Sequence, residues 1–104
     1  MKAFTAAVYG GTGYLGSEAI RRLLAHPEIE LKHVYAADHI GQRLSQALPN
    51  LEGKTELVIE PVNAEAPPAV DAFLLALPHS VSHRLVGKLL GSSARIIDMS
   101  GAFR

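Results

Sequence analysis

The glycine-rich segment Gly11-Thr12-Gly13-Tyr14-Leu15-Gly16 constrains the fold of this chain more than any other feature. It follows a short apolar segment, residues 3–9, of the kind that forms a strand buried on both faces. It opens residues 14–25, whose apolar side chains recur at helical spacing. In this context the first glycine permits a tight turn, the second lets the backbone approach a pyrophosphate, and the third lets the helix pack closely on the sheet. The segment therefore predicts a dinucleotide site.

The phosphates of such a ligand are expected at the amino end of the predicted helix. Free N–H groups and a partial positive charge attract anions there, and the Thr12 hydroxyl can donate a further hydrogen bond. The alternative is a glycine-rich turn that serves only the fold. Three glycines with this spacing, between a strand and a helix, favour the binding site.

Strand and helix patterns alternate along the rest of the chain. Further strands are predicted at residues 29–37, 57–60, 72–76 and 95–99, and further helical segments at residues 44–48 and 81–90. Strands joined by helical crossovers imply an α/β fold of the Rossmann type, with a doubly wound, mostly parallel sheet and helices on its faces. Residues 72–76 have the pattern of the most buried strand, and Pro61 is expected in a loop.

The second predicted strand has a different pattern. Its residues Ile29, Leu31 and His33 alternate with Glu30, Lys32 and Val34. Such alternation is typical of a strand nearer the edge of the sheet, with one face less buried than the other. His33 is expected to be structural or solvated.

Polar side chains follow the carboxyl ends of the predicted strands, which is where ligands of such sheets bind. Asp38 lies just after the second strand, where NAD-binding domains carry an acid for the ribose hydroxyls. It could equally be a solvated loop residue, and Arg43 or His39 could instead meet the 2′-phosphate of NADP. This segment leaves the choice of nucleotide open.

Two further strand ends carry candidate binding residues. His79 and Ser80 follow the fourth strand and could face the cofactor, although the serine could also cap the next helix. Ser100 and Arg104 follow the fifth strand, where a guanidinium suits a phosphate or a carboxylate. We therefore expect cofactor and substrate to meet at this edge of the sheet.

Composition limits the classes of function. The 104 residues predict one domain, and 10 basic against 10 acidic side chains provide no positive field for nucleic acid. Apolar runs are far too short to span a membrane, and the amino terminus lacks a signal-peptide pattern, so a cytoplasmic location is expected. The chain has no cysteine, which excludes disulfides, thiolate metal sites and a cysteine nucleophile from this chain. No metal site is expected.

Five segments together resemble the amino-terminal NADP-binding region of the N-acetyl-gamma-glutamyl-phosphate reductase family, which is related to aspartate-semialdehyde dehydrogenase. They are residues 8–16, 26–31, 49–53, 75–79 and 98–104. The resemblance covers essentially the whole chain and implies an oxidoreductase of arginine biosynthesis that reduces an acyl phosphate to an aldehyde with NADPH. In that family a cysteine thiolate attacks the acyl phosphate, phosphate leaves, NADPH delivers hydride to the thioester, and a histidine handles the proton.

The same resemblance assigns roles to residues of this chain. Residues 11–15 line the dinucleotide phosphates, His79 and Ser80 lie near the nicotinamide, and Ser100 and Arg104 lie near the substrate phosphate. Because this chain has no cysteine, the resemblance implies that the catalytic cysteine and histidine belong to a further domain. We expect residues 1–104 to be the cofactor-binding part of a larger, homo-oligomeric reductase and to be inactive alone.

One departure concerns the end of the second strand, where family members commonly carry Ser-Arg and this sequence has Ala36-Ala37-Asp38. NADP is the expected cofactor because the family uses it, and NAD is the second possibility. Two other functions fit the glycine pattern: an extended short-chain dehydrogenase or sugar-nucleotide epimerase, and a non-catalytic nucleotide-binding module. The N-acetylglutamyl substrate is not distinguished from the aminoadipyl phosphate of lysine biosynthesis.

Overall fold

The computed structural model describes residues 3–10, 14–36, 38–48, 55–61, 69–76 and 95–98. Their elements are β1 (Phe4–Tyr9), α1 (Tyr14–Leu24), β2 (Ile29–Ala36), α2 (Leu44–Ala47), β3 (Ile59–Pro61), β4 (Ala72–Leu75) and β5 (Arg95–Asp98). These confirm the five predicted strands, the first helix and the helical turn. The helix predicted at residues 81–90 lies outside the described part of the chain. Within that part, no helix is long and apolar enough to cross a membrane.

The sheet is built from parallel pairs in the order β3-β2-β1-β4-β5. This order confirms the predicted doubly wound, Rossmann-type α/β fold. β1 lies at the centre, and residues 6–9 within it are all buried. In β4 only Phe73 and Leu75 are buried. The expectation that residues 72–76 form the most buried strand is therefore wrong. β1 is the most buried strand because it is the central one, with two strands on each side of it in the sheet.

β2 contains one residue more than the stretch of β1 that it pairs with. Leu31 and His33 pair with consecutive residues of β1, so Lys32 has no partner there. This irregularity shifts the alternation of the strand. Leu31 and Val34 both pack in the cluster that includes α1, whereas His33 is in register with a residue of the opposite face. The alternation predicted for residues 29–34 therefore breaks at Lys32.

An apolar cluster lies on each face of the sheet. The larger one joins the sheet to α1 and contains Ala6, Val8, Ile20, Leu23, Leu31, Val34, Ala36, Leu44 and Ile59. The smaller one lies on the opposite face and contains Ala7, Tyr9, Tyr35, Phe73 and Leu75. α1 contributes Ile20 and Leu23 to the larger cluster and leaves Arg21 and Arg22 exposed, as its helical spacing predicts.

Residues 41–44 cover the outer edge of β3. The contacts are Gly41 N–H to the Ile59 carbonyl (2.9 Å), Ile59 N–H to the Gln42 carbonyl (2.9 Å), Leu44 N–H to the Leu57 carbonyl (2.8 Å), and an antiparallel bridge between Arg43 and Val58. Because a bare strand edge can pair with other chains, this ladder protects the sheet. Pro61, expected in a loop, instead ends β3. Its missing N–H is tolerated at the end of a strand near the sheet edge.

Candidate dinucleotide site

The carboxyl ends of β1 and β4 lie side by side at the point where the strand order reverses. β2 and β3 lie on one side of β1, whereas β4 and β5 lie on the other. Tyr9 pairs with Leu75, and the Ala76 amide donates a hydrogen bond of 2.8 Å to the Tyr9 carbonyl. In parallel α/β sheets, ligands bind in the crevice beyond such a reversal. The candidate crevice of this chain therefore lies beyond Tyr9 and Leu75.

Gly10 turns the chain out of β1 toward this crevice. Its φ of 87° lies in the left-handed region, which residues with a side chain rarely adopt. Its amide donates a hydrogen bond of 2.7 Å to the carbonyl of Tyr35 in β2. The direction in which the chain leaves β1 is therefore fixed by a conformation that favours glycine and by a bond to the neighbouring strand.

The amino end of α1 follows shortly after this turn. The first turn of α1 contains no acidic residue, so none of its own side chains offsets the partial positive charge at that end. Gly16 is buried within α1, which agrees with the close helix packing expected of the third glycine. A helix that begins four residues after Gly10 has an amino end that fits the phosphates of a dinucleotide.

Several predicted site residues cannot be placed against this crevice. Gly11, Thr12, Gly13, His79, Ser80, Ser100 and Arg104 lie outside the described residues. Tyr14 and Leu15 belong to α1, but only their backbone is described. The contacts assigned to these residues by the resemblance stay predictions.

Asp38 and His39 follow the carboxyl end of β2. The side chain of Asp38 is 66% exposed, and its Oδ2 lies 3.8 Å from Nε2 of His39. His39 has a φ of 57°, and its carbonyl accepts a hydrogen bond of 3.1 Å from the Gln42 amide. This turn places an accessible carboxylate where a ribose ligand is expected. The role of Asp38 in binding stays a prediction.

Arg43 lies further from the crevice than its place in the sequence indicates. Residues 41–44 run antiparallel to β3, toward its amino end, and Arg43 bridges Val58. Its Nη1 lies 3.9 Å from Oε2 of Glu56, which precedes β3. The backbone of Arg43 therefore lies on the amino-end side of β3, and its side chain is exposed. Contact between Arg43 and a 2′-phosphate stays a prediction.

An aromatic row that was not predicted from the sequence lies on the face opposite α1. The ring of Tyr9 lies between that of Tyr35, at 4.6 Å, and that of Phe73, at 6.0 Å between centroids. The His33 ring stacks on Tyr35 at 5.8 Å. The sequence places Tyr9 and Tyr35 near the ends of two predicted strands, and this was the signal from which the row could have been predicted. The row packs together the strand ends that border the crevice.

The two tyrosines are buried and resist ionisation. Burial, and then the negative charge of Glu60, raise the pKa of Tyr9 to about 12. The same two causes, followed by Tyr9 itself, raise the pKa of Tyr35. The Tyr9 hydroxyl is buried without a hydrogen-bond partner in the described part of the chain. Burial therefore disfavours the ionised form of both phenols.

His33 and Glu60 connect β2 to β3 on the same face. Nδ1 of His33 lies 2.8 Å from Oε2 of Glu60, and both side chains are partly exposed. Glu60 is also the register partner of Tyr35. His33, expected to be structural or solvated, is thus partly exposed and in contact with Glu60. Among the described residues, no group of three or more histidines, cysteines, aspartates or glutamates could hold a metal ion.

Residues 5–104 match the family described as semialdehyde dehydrogenase, NAD binding domain. The chain belongs to this family. The crevice beyond Tyr9 and Leu75 is therefore the expected place of the nicotinamide dinucleotide in a semialdehyde dehydrogenase NAD-binding domain. This membership bears out the predicted resemblance and the predicted class of cofactor.

Curated relatives of this domain are named as phosphate reductases. A putative [LysW]-L-2-aminoadipate/[LysW]-L-glutamate phosphate reductase of Pyrococcus horikoshii is 41% identical over 98 residues, which are 94% of this chain and 28% of the relative. An N-acetyl-gamma-glutamyl-phosphate reductase of Ectopseudomonas mendocina is 38% identical over 98 residues, covering 93% of this chain and 28% of the relative. The chain spans little more than a quarter of the length of these relatives.

Solved structures share the fold of this semialdehyde dehydrogenase NAD-binding domain. Aspartate semialdehyde dehydrogenase with NADP from Candida albicans superposes with a TM-score of 0.79 at 20% identity, covering 98% of this chain and 31% of that protein. A probable aspartate-semialdehyde dehydrogenase from Pseudomonas aeruginosa has a TM-score of 0.75 at 22% identity, covering 99% of this chain and 30% of that protein. At these identities the likeness establishes the fold.

Proposed function

We propose that this domain supplies the dinucleotide site of a reductase that converts an acyl phosphate of amino-acid biosynthesis into an aldehyde. The observation that carries the proposal is the crevice beyond β1 and β4, with Gly10 following the end of β1 and the amino end of α1 four residues further along the chain. The relatives named as phosphate reductases support it. Because the chain spans 28% of those relatives, the activity is proposed for the protein that carries this domain.

N-acetyl-gamma-glutamyl phosphate is the proposed substrate, and NADPH is the proposed reductant, as the resemblance implies. A second candidate substrate is an aminoadipyl or glutamyl phosphate carried on a protein such as LysW. Relatives named for these two kinds of substrate are about equally similar to this chain, at 41% and 38% identity. The two candidates share the acyl phosphate that is reduced; they differ in what is attached to the amino group and, for the aminoadipyl compound, in a chain longer by one methylene.

In the proposed reaction, the residues of this chain bind and orient the dinucleotide. A bound dinucleotide would supply the hydride that reduces a thioester to the aldehyde. Gly10 fixes the exit of the chain from β1, and the amino end of α1 would hold the phosphates. Tyr9 and Tyr35 keep the bordering strand ends in place. Since this chain contains no cysteine, the thiolate of the proposed mechanism comes from another part of the protein.

The reverse reaction tests the proposal. The protein that carries this domain is incubated with N-acetylglutamate semialdehyde, NADP⁺ and inorganic phosphate, and formation of NADPH is followed by absorbance. We expect continued turnover only when phosphate is present, because phosphate releases the acyl group from the thioester; without it, at most one NADPH forms per active site. Alkylation of cysteine should abolish both. Continued formation of NADPH without phosphate, or activity that survives complete alkylation, would contradict the mechanism.

The matched control is dinucleotide binding before and after alkylation. Because residues 1–104 contain no cysteine, the reagent cannot modify this domain at a thiol. If dinucleotide binding persists after alkylation while turnover is lost, the binding role of this domain is separated from the role of the cysteine. Repeating the assay with a LysW-linked semialdehyde decides between the two substrates.

A further inference from the structure

We propose that Asp38 abolishes the preference for NADP, so that this domain binds NAD(H) at least as tightly as NADP(H). The inference rests on the proposed function, because it concerns the same dinucleotide site. The two nucleotides differ only at the 2′ position of the adenosine ribose, which carries a hydroxyl in NAD and a phosphate in NADP. In Rossmann-type domains that position lies against the carboxyl end of β2. Asp38 and its neighbours therefore decide which nucleotide is accepted.

The backbone holds Asp38 in a defined place. β2 pairs with β3 up to Ala36, and residues 41–44 are bonded to the opposite edge of β3. Between these two attachments, His39 adopts a φ of 57° and closes a turn with Gln42. The carboxylate of Asp38 thus lies two residues after the end of β2 and next to this turn.

The charges of this segment favour a hydroxyl over a phosphate. The charged or titratable side chains between residues 38 and 43 are Asp38, His39 and Arg43. Arg43 bridges Val58 on the amino-end side of β3, and its Nη1 lies 3.9 Å from Oε2 of Glu56. The imidazole of His39 lies 3.8 Å from the carboxylate of Asp38. Within the segment from Asp38 to Arg43, the residue that follows β2 most closely is thus an aspartate, where NADP-binding domains carry an arginine for the 2′-phosphate.

The ribose hydroxyl of NAD makes the opposite interaction. A carboxylate accepts hydrogen bonds from hydroxyl groups, and a bond to a charged acceptor is stronger than one between neutral groups. Ile40, next in the segment, is 49% exposed and offers apolar surface of the kind that an adenine ring covers. An accessible carboxylate beside an exposed apolar side chain suits adenosine with an unmodified ribose.

The test compares dissociation constants for NAD⁺ and NADP⁺ by calorimetry, using the protein that carries this domain and three variants. We expect NAD⁺ to bind at least as tightly as NADP⁺ in the unchanged protein. Asp38→Asn should shift the ratio of the two constants toward NADP⁺ by about tenfold, because it removes a negative charge facing the 2′-phosphate. Arg43→Ala should leave the ratio unchanged, since Arg43 bridges Val58 on the amino-end side of β3.

Glu30→Gln is the matched control. Like Asp38→Asn, it removes one negative charge. Glu30, however, lies near the amino end of β2, where its Oε2 is 3.4 Å from Nζ of Lys32. The ratio of the two dissociation constants in this variant should equal that of the unchanged protein. Tighter binding of NADP⁺ to the unchanged protein, or an Asp38→Asn ratio equal to that of the control, would overturn the inference and leave the proposed function standing. Failure of both nucleotides to bind would contradict both.

Discussion

The ring of Tyr9 stacks on the ring of Tyr35, with centroids 4.6 Å apart and planes inclined by 19°. The two residues are also register partners, and the carbonyl of Tyr35 accepts the amide hydrogen bond of Gly10. Side-chain packing and backbone bonding therefore fix the same two strand ends. Because those ends border the crevice, the aromatic row belongs to the framework of the site.

Tyr9→Phe should leave the free energy of unfolding unchanged or raise it by up to about 1 kcal/mol. The Tyr9 hydroxyl is buried without a partner among the residues that the structure describes, and burying an unpaired hydroxyl costs stability. Urea unfolding measures the effect. Tyr9→Ala is the contrast and should cost about 3–5 kcal/mol, because it removes the whole ring. A loss above 1 kcal/mol in Tyr9→Phe would show that the hydroxyl has a partner.

Stability should fall as the pH rises from 10 to 12. The pKa of Tyr9 is about 12 in the folded protein, against about 10 in an unfolded chain, so the unfolded state loses its proton first. The neutral Tyr9 therefore makes its full contribution to the free energy of unfolding below pH 10. That free energy then falls by about 2–3 kcal/mol as the pH rises through the pKa of Tyr9 in the folded protein. Subtracting the Tyr9→Phe profile isolates this part. Parallel profiles for the two proteins would contradict the raised pKa of Tyr9.

Gly10→Ala should destabilise the fold by about 1–2 kcal/mol, since a side chain is strained at positive φ. It should also weaken dinucleotide binding, because the direction in which the chain leaves β1 changes. Gly41→Ala is a matched control: its φ is 88°, and a Cβ there meets no atom within 4 Å. We expect a similar cost in urea unfolding with a smaller loss of affinity. If Gly10→Ala and Gly41→Ala weaken dinucleotide binding equally, the conformation of Gly10 has no specific role in that binding.

The contact between His33 and Glu60 should contribute about 0.5–1 kcal/mol near pH 6, a modest amount because both side chains are partly exposed. A double-mutant cycle with His33→Gln and Glu60→Gln measures the coupling. The pair Glu30 and Lys32, at 3.4 Å, provides an exposed reference that should couple more weakly. If the coupling energy between His33 and Glu60 is no larger than that of the reference pair, this contact does not help to align β2 with β3, and their backbone hydrogen bonds alone do so.

The central part of the fold could be predicted because its sequence patterns are local. The apolar residues of β1, the helical spacing of α1 and the glycines between them each specify one element and its neighbour. Parallel pairing then follows from the crossover connections. The same reasoning predicts the site at the carboxyl ends of the strands, and the strand order reverses between β1 and β4, where such sites are expected.

Other features depend on contacts between distant residues. The unpaired Lys32 moves His33 away from the face of Leu31, and only the pairing of β2 with β1 reveals this. The ladder between residues 41–44 and β3 uses backbone groups, which every sequence possesses, so no side-chain pattern marks it. The position of Arg43 beside Val58 follows from that ladder, so the sequence did not predict it either.

Hydrogen exchange with and without dinucleotide tests the location of the site most directly. Saturating NADP⁺ or NAD⁺ should slow exchange in peptides that contain the turn after Tyr9, the first turn of α1 and the segment beginning at Asp38. Peptides covering residues 25–31, at the opposite ends of the strands, should exchange as before. Protection confined to those opposite ends, or no protection at saturation, would contradict the assignment of the dinucleotide to the crevice beyond β1 and β4.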